Sequence, residues 1–137
     1  MSEACAQRKR KSYASLKRTL DVIFSRYIRL RAANKNGYSA CVSCGAVKRW
    51  QDQQAGHFVS RVRLSTRWDE QNCATQCPRC NILLRGNPVG YARYLQDRYG
   101  SKIFAELEER SRKPVKFARF ALKAMCDEYA EKLKVLS

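Results

Sequence analysis

Two C-x2-C pairs, Cys41-Val-Ser-Cys44 and Cys77-Pro-Arg-Cys80, constrain this chain more than any other feature. Each pair is a knuckle that presents two thiolates to one tetrahedral Zn²⁺, so together they predict one structural four-cysteine site. The 32 residues between the knuckles exceed what a compact zinc ribbon holds, so a further unit must be inserted there. Disulfides are the weaker alternative, because the seven cysteines are odd in number and two-residue gaps suit a metal better than a bridge. A thioredoxin-type redox pair would need a βαβ pattern, which the sequence lacks. Cys73, four residues before Cys77, is a candidate substitute ligand, whereas Cys5 and Cys126 read as ordinary thiols. Zinc binding on the order of 10 kcal/mol would order a loop-rich centre that has no core of its own.

The chain around this frame is short and basic. Its 137 residues carry a formal net charge of +16, divided as +8 over residues 1–36, +3 over 37–81 and +5 over 82–137. That length fits one domain, and a chain 45% hydrophobic is too apolar to be disordered throughout. No apolar run approaches the roughly 20 residues that span a bilayer, which excludes an integral helical membrane protein. The start, Met1-Ser2-Glu3-Ala4-Cys5, lacks the apolar stretch of a secretory signal, so a cytoplasmic protein without membrane contact is expected. Charge spread along the whole chain points to a long polyanion as partner. Nucleic acid is the default, with an affinity that falls steeply with salt.

The expected fold class is α+β and mainly helical, a single domain over residues 1–137. Residues 1–11 form a basic arm ending in Arg8-Lys9-Arg10-Lys11. Residues 12–36 read as a basic amphipathic helix. Leu16, Leu20, Ile23, Phe24, Tyr27, Ile28 and Leu30 recur mostly at three- and four-residue spacings, with Lys17, Arg18, Arg26, Arg29 and Arg31 interleaved. Ser12 or Ser15 caps its start and Asn36-Gly37 ends it. Residues 37–88 lose that period and hold both knuckles, both tryptophans and the only histidine. Short strands are expected at Trp50–Gln54 and His57–Ser60, and a helix from Cys77. In the helical tail, 89–137, Asn87-Pro88 opens a helix that Gly100 closes, Ser101 caps a second through Arg110, and Pro114 starts a third. The third carries Val115, Ala118, Leu122, Met125, Tyr129 and Leu133 on one stripe, which packs on the first helix or, at nearly heptad spacing, meets another chain.

The zinc shell is filled by four cysteines, so His57 is free for other work. A lone histidine is more often structural than catalytic. His57 follows Gly56 inside the zinc-framed insertion, however, with Arg61, Arg63 and Arg67 nearby in sequence. A neutral imidazole beside phosphates can deprotonate a water.

Ala55-Gly56-His57-Phe58, Asn72 five residues before Cys77, and Cys77-Pro-Arg-Cys80-Asn81 together resemble the HNH (ββα-metal) nuclease pattern. The resemblance implies a zinc-framed ββα-metal core flanked by N- and C-terminal helices. In it, His57 is the general base, Asn72 braces the hairpin, and Asn81 binds a catalytic Mg²⁺ or Mn²⁺. The Cys-Cys-Asn ending is similar to that of phage junction resolvases of the endonuclease VII type. One departure is Gly56, where many HNH nucleases place a metal-binding aspartate; Asp52, Asp69 and Glu70 are candidate substitutes. Over residues 12–99 the chain resembles the NinG (Rap) recombination endonucleases of lambda-like phages. The features are Phe24-Ser-Arg-Tyr-Ile-Arg29, Cys41-Val-Ser-Cys44, Ala55-Gly-His-Phe58, Arg67-Trp-Asp-Glu-Gln-Asn72, Gln76-Cys-Pro-Arg-Cys-Asn81 and Gly86-Asn87 followed by Tyr91.

That resemblance implies a phage- or prophage-encoded, metal-dependent endonuclease that cleaves branched DNA, such as Holliday junctions and D-loops, in a bacterial host. Arg61, Arg63 or Arg85 would share the phosphate charge, with DNA also gripped by Arg8, Lys9, Arg10, Lys11, Lys17, Arg18, Arg26, Arg29 and Arg67. Symmetric cutting of a junction needs two active sites and hence a homodimer, with the Leu16–Leu30 stripe as first choice of interface and the Val115–Leu133 stripe as second. Two other readings account for the charge and the cysteines: a non-catalytic zinc module that binds nucleic acid, and a sequence-specific HNH endonuclease.

Overall fold

The structure, a computed structural model, describes residues 11–137. Arg8, Lys9, Arg10 and Cys5 lie outside the described residues. The fold is mixed α+β and mainly helical. A long helix α1 (Tyr13–Arg31) leads into a first hairpin, β1 (Tyr38–Ala40) with β2 (Val47–Arg49). A second antiparallel pair joins β3 (Gln54–His57) to β4 (Cys73–Gln76), with a single helical turn α2 (Leu64–Arg67) in the loop between them. Helices α3 (Pro88–Tyr99), α4 (Ile103–Arg112) and α5 (Arg119–Leu136) follow. Among the described residues, no helix is long and apolar enough to cross a membrane.

Ser12 is the cap of α1: its hydroxyl accepts from the Ser15 amide at 3.1 Å. The helix stops at Arg31, five residues short of the expected end. Asn34 is the reason, since its Oδ1 accepts from the amides of Asn36 and Tyr38 and turns the chain directly into β1. Two expected strands also change place. Trp50–Asp52 is a 3₁₀ turn, and Phe58 and Val59 form a bend beyond the strand that ends at His57. The paired strands β1, β2 and β4 lacked the alternation that sequence reading relies on, because they are three or four residues long and β4 is buried on both faces. The turn after Cys77 is a single π-helical turn, Arg79–Leu83.

In the tail, Pro88 and Gly100 delimit α3 as expected. Lys102, not Ser101, precedes α4, and no side chain caps it. Residues 113–118 run without regular structure, so Pro114 does not open the last helix. This segment instead lets Phe117 set its ring 5.6 Å from that of Trp68.

Two apolar clusters enclose the β3–β4 hairpin. On one side Leu16, Leu20, Phe24 and Ile28 of α1 pack with Leu122, Cys126 and Tyr129 of α5, and with Trp68 and Cys73. On the other, Ala74 meets Tyr91, Leu95, Ile103 and Leu107 from α3 and α4. Cys73 and Ala74 are consecutive in β4 and therefore serve opposite faces. The first choice of dimer interface is thereby corrected: the α1 stripe is buried inside the chain by the α5 stripe, the second choice, and neither is free to meet another copy in this way.

Candidate active site

The four paired thiols converge. Cys41, Cys44, Cys77 and Cys80 place their sulfur atoms within 4.8 Å of one another, with Cys44 Sγ and Cys77 Sγ 3.7 Å apart. Tetrahedral Zn–S bonds of about 2.3 Å put sulfurs about 3.8 Å apart, so the set fits one zinc. Burial opposes ionisation of Cys41, yet the amides of Cys77, Cys44 and Ser43 outweigh it and bring that thiol down to about 7. Asn87 donates to Cys80 Sγ at 3.4 Å and the Cys80 amide to Cys77 Sγ at 3.5 Å, which holds ligands in place from outside the cluster. Cys73 is not a ligand. It is buried on the α1 side of the hairpin, and its thiol points to the Arg67 carbonyl at 3.6 Å. Cys126 is likewise buried in the α1–α5 seam.

The hairpin places His57 opposite Cys73, at the end of β3. Its Nε2 lies 2.8 Å from the Arg67 carbonyl oxygen, which can only accept. The proton of the neutral ring therefore sits on Nε2, and Nδ1 keeps its lone pair. Burial lowers the imidazole pKa below its ordinary 6.5, against the pull of the Arg67 carbonyl and with help from the Arg61 charge.

Asn72 is fully buried and uses its whole amide. Its Oδ1 accepts from the Val59 amide at 2.8 Å, and its Nδ2 donates to the carbonyls of Val59 and Thr66, both at 3.0 Å. The side chain thus stitches the loop after His57 to β4. Tyr91 secures the same strands from beneath, donating to the carbonyls of Gly56 and Asn72.

Asn81 stands on the turn after the second knuckle. Its Nδ2 donates to Gln54 Oε1 at 2.7 Å, which fixes the amide and leaves Oδ1 for another partner. His57, Asn81, Arg61 and Arg85 line one open cavity of about 270 Å³, with Ala55, Ser60 and Gly86. Arg85, Gly86 and Asn87 all have positive φ, at 50°, 89° and 39°. Two non-glycine residues in this region are costly to hold, and such backbone concentrates at functional sites. Here it swings Arg85 onto the cavity.

Gly56, the position at which the HNH resemblance would call for an aspartate, has no room for a side chain. A Cβ on Gly56 would fall 1.9 Å from Gln76 Oε1. Gln76 is fully buried, and its Nε2 donates to Ser43 Oγ and the Gly86 carbonyl, both at 2.7 Å. It cannot move aside without losing both bonds. Nor do the proposed substitutes come near. Asp69 pairs with Arg110 at 2.9 Å, and Glu70 accepts from Tyr27, Tyr129, Lys132 and Arg31. Asp52 lies exposed on the 3₁₀ turn, outside the cavity lining. Among the lining residues the side-chain oxygens are therefore neutral, those of Asn81 and Ser60. Such neutral oxygens would suit a hard cation that keeps several waters.

The arginines divide into two kinds. Arg67 is largely buried and bonds Asp21 of α1 through Nε and Nη2, so its charge is neutralised inside the protein. Arg61 also reaches Asp21, at 3.0 Å, but keeps 58% of its side chain exposed. Arg29 is half-buried over the Trp50 ring. Lys11, Arg18, Arg26, Arg63 and Arg85 are exposed, and Lys17 half so. Asp21 and Gln54 have no place among the residues singled out from the sequence, and Gln76 has one only as part of the Gln76–Asn81 motif. Asp21 carried a signal, as the one acidic residue of α1. The hydrogen bonds of the two glutamines have no local signal, since they rest on strand register.

The family described as Bacteriophage Lambda NinG protein matches residues 2–137. Protein ninG of Salmonella phage P22 is 35% identical over 97 residues, and those of Escherichia phage 933W and Escherichia phage lambda are 37% identical over 100 and 33% over 97. In each case the match covers 70% of this chain and 47% of the relative, so the chain spans about half the length of the curated relatives it matches. No solved structure matches.

Proposed function

The chain belongs to the NinG family, and we propose that it is a metal-dependent DNA endonuclease of HNH type acting on branched recombination intermediates such as Holliday junctions and D-loops. The observation that carries this reading is the His57 ring. Its Nε2 is tied to a backbone carbonyl, and it lines one cavity with Asn81, Arg61 and Arg85. His57 Nδ1 takes a proton from a water, whose oxygen attacks the phosphodiester phosphorus in line. The P–O3′ bond breaks, and the 3′ oxygen leaves and is protonated from solvent. Arg61 and Arg85 share the growing phosphate charge. A Mg²⁺ or Mn²⁺ bound through Asn81 Oδ1 would supply further neutralisation of the phosphate and the leaving oxygen. The zinc site keeps four thiolates and no open position, so its part is to hold the two knuckles together.

One observation favours the alternative of a non-catalytic nucleic-acid-binding module: no carboxylate lines the cavity. The two readings separate on synthetic four-way junctions, D-loops and linear duplexes of shuffled sequence, with Mg²⁺, Mn²⁺ or EDTA. The wild type should nick branched substrates only with metal. His57→Ala should lose cleavage by at least about 100-fold while binding DNA as tightly. A wild type that binds without cutting supports the module. Cleavage that follows sequence regardless of branching supports a sequence-specific nuclease. Undiminished cutting by His57→Ala removes His57 from the chemistry. Symmetric junction cutting further calls for two copies, which would have to meet outside the α1–α5 seam.

A further inference from the structure

Beside the cavity the chain does something costly. Ile82, Leu83 and Leu84 are consecutive and are 61%, 76% and 42% exposed. Single apolar side chains on a surface are ordinary, but three in a row on a rigid turn mark a contact. The turn is rigid because it hangs from the zinc cluster. Cys80 lies in that cluster. The Leu84 amide bonds the Arg79 carbonyl at 2.8 Å, the Gly86 amide bonds the Cys80 carbonyl at 2.8 Å, and the Asn87 amide bonds the Leu84 carbonyl at 2.9 Å. Asn81 and Arg85, which bracket the three residues in the chain, both line the candidate cavity.

We propose that Ile82, Leu83 and Leu84 form an apolar wedge that enters the base stack of DNA at a branch point. The proposal rests on DNA being the polymer whose backbone occupies the adjacent cavity. Charge selects this occupant over a second copy. From Gln71 to Gln96 the sequence holds Arg79, Arg85 and Arg93 and no acidic residue. Two copies meeting on this turn would oppose like charges, whereas phosphates flanking an opened base step would meet Arg79 and Arg85. Apolar side chains do enter base steps, and in continuous duplex they must first unstack them at a cost. At a branch point the stack is already interrupted and the cost is smaller. The wedge therefore discriminates branched from linear DNA without reading sequence.

The test places 2-aminopurine at the branch point of a four-way junction and reads its fluorescence with protein bound, without added Mg²⁺ or Mn²⁺. Anisotropy gives junction and linear-duplex affinities, and light scattering gives mass. Wild type should raise the fluorescence. An Ile82→Ser/Leu83→Ser protein should lose most of that rise and about tenfold of its preference for the junction, with linear affinity unchanged. Leu83→Ala alone repeats the measurement in a milder form should the double variant unfold. Phe120→Ser, at an equally exposed apolar position on α5 (80%), should behave as wild type. A full rise with the double variant, no rise with bound wild type, or a mass halved by the substitutions overturns the wedge. Because nothing here requires cleavage, a protein that unstacks junctions yet never cuts them keeps the wedge and loses the nuclease.

Discussion

His57 is the chain's one histidine, so its ring reports on itself without ambiguity. In the free protein its C–H proton resonance should titrate with a midpoint below 6.5, because burial disfavours the imidazolium. The unfolded chain then binds a proton before the folded one does. The fold accordingly loses stability as pH falls from 6.5 through the lowered folded value. A midpoint at or above 6.5 contradicts the buried placement against the Arg67 carbonyl. At this scale the sequence singled out residues that the fold brings together, because the C-x2-C knuckles and the Gly-His and Cys-Asn pairs are local spacings. It did not show that Gly56 has no room for a Cβ. Gln76 lies 20 residues away and meets Gly56 only through the register of β3 with β4.

The elements were legible in proportion to their length. α1 and the stripe of α5 repeat their apolar residues over four or more turns and were recognisable, while strands of three and four residues offered no period to find. The α1–α5 seam is the main packing surface. Leu20→Ala, at a fully buried position, should cost about 3 kcal/mol, read from the denaturant midpoint at unchanged slope. A cost under about 1 kcal/mol would mean that the seam is looser than described. Glu70 closes one end of this seam. Burial alone would raise its pKa, but hydrogen bonds from Lys132, Tyr129 and Tyr27 outweigh that and hold the carboxyl below its ordinary 4.5. This contribution is present above pH 4.5 and fades as pH falls through the lowered value.

For the whole molecule, the third buried cluster consists of Cys41, Cys77 and Cys80 with only Ala46 against it. That is not an apolar core, and it should fail without its metal. A strong chelator should release about one zinc per chain and speed amide exchange over residues 38–49 and 77–87. The α1–α5 helices, with their own core, should stay protected. Unchanged exchange in the knuckles after zinc release would show that they stand without the ion. By itself the sequence determined the four cysteines that could hold a zinc, the two long amphipathic faces and the basic character, because each is a matter of composition or short spacing. Only the tertiary structure decided which partner each charged side chain found. It met the expectation that the two apolar stripes pack together, but it alone neutralised Arg67 on Asp21, left Arg61 and Arg85 on the cavity, and committed Asp69 and Glu70 elsewhere. Asp21 and Arg67 stand 46 positions apart, and Leu16 and Cys126, which touch in the seam, stand 110 apart. Through-space contact at such separations has no local pattern from which to be read.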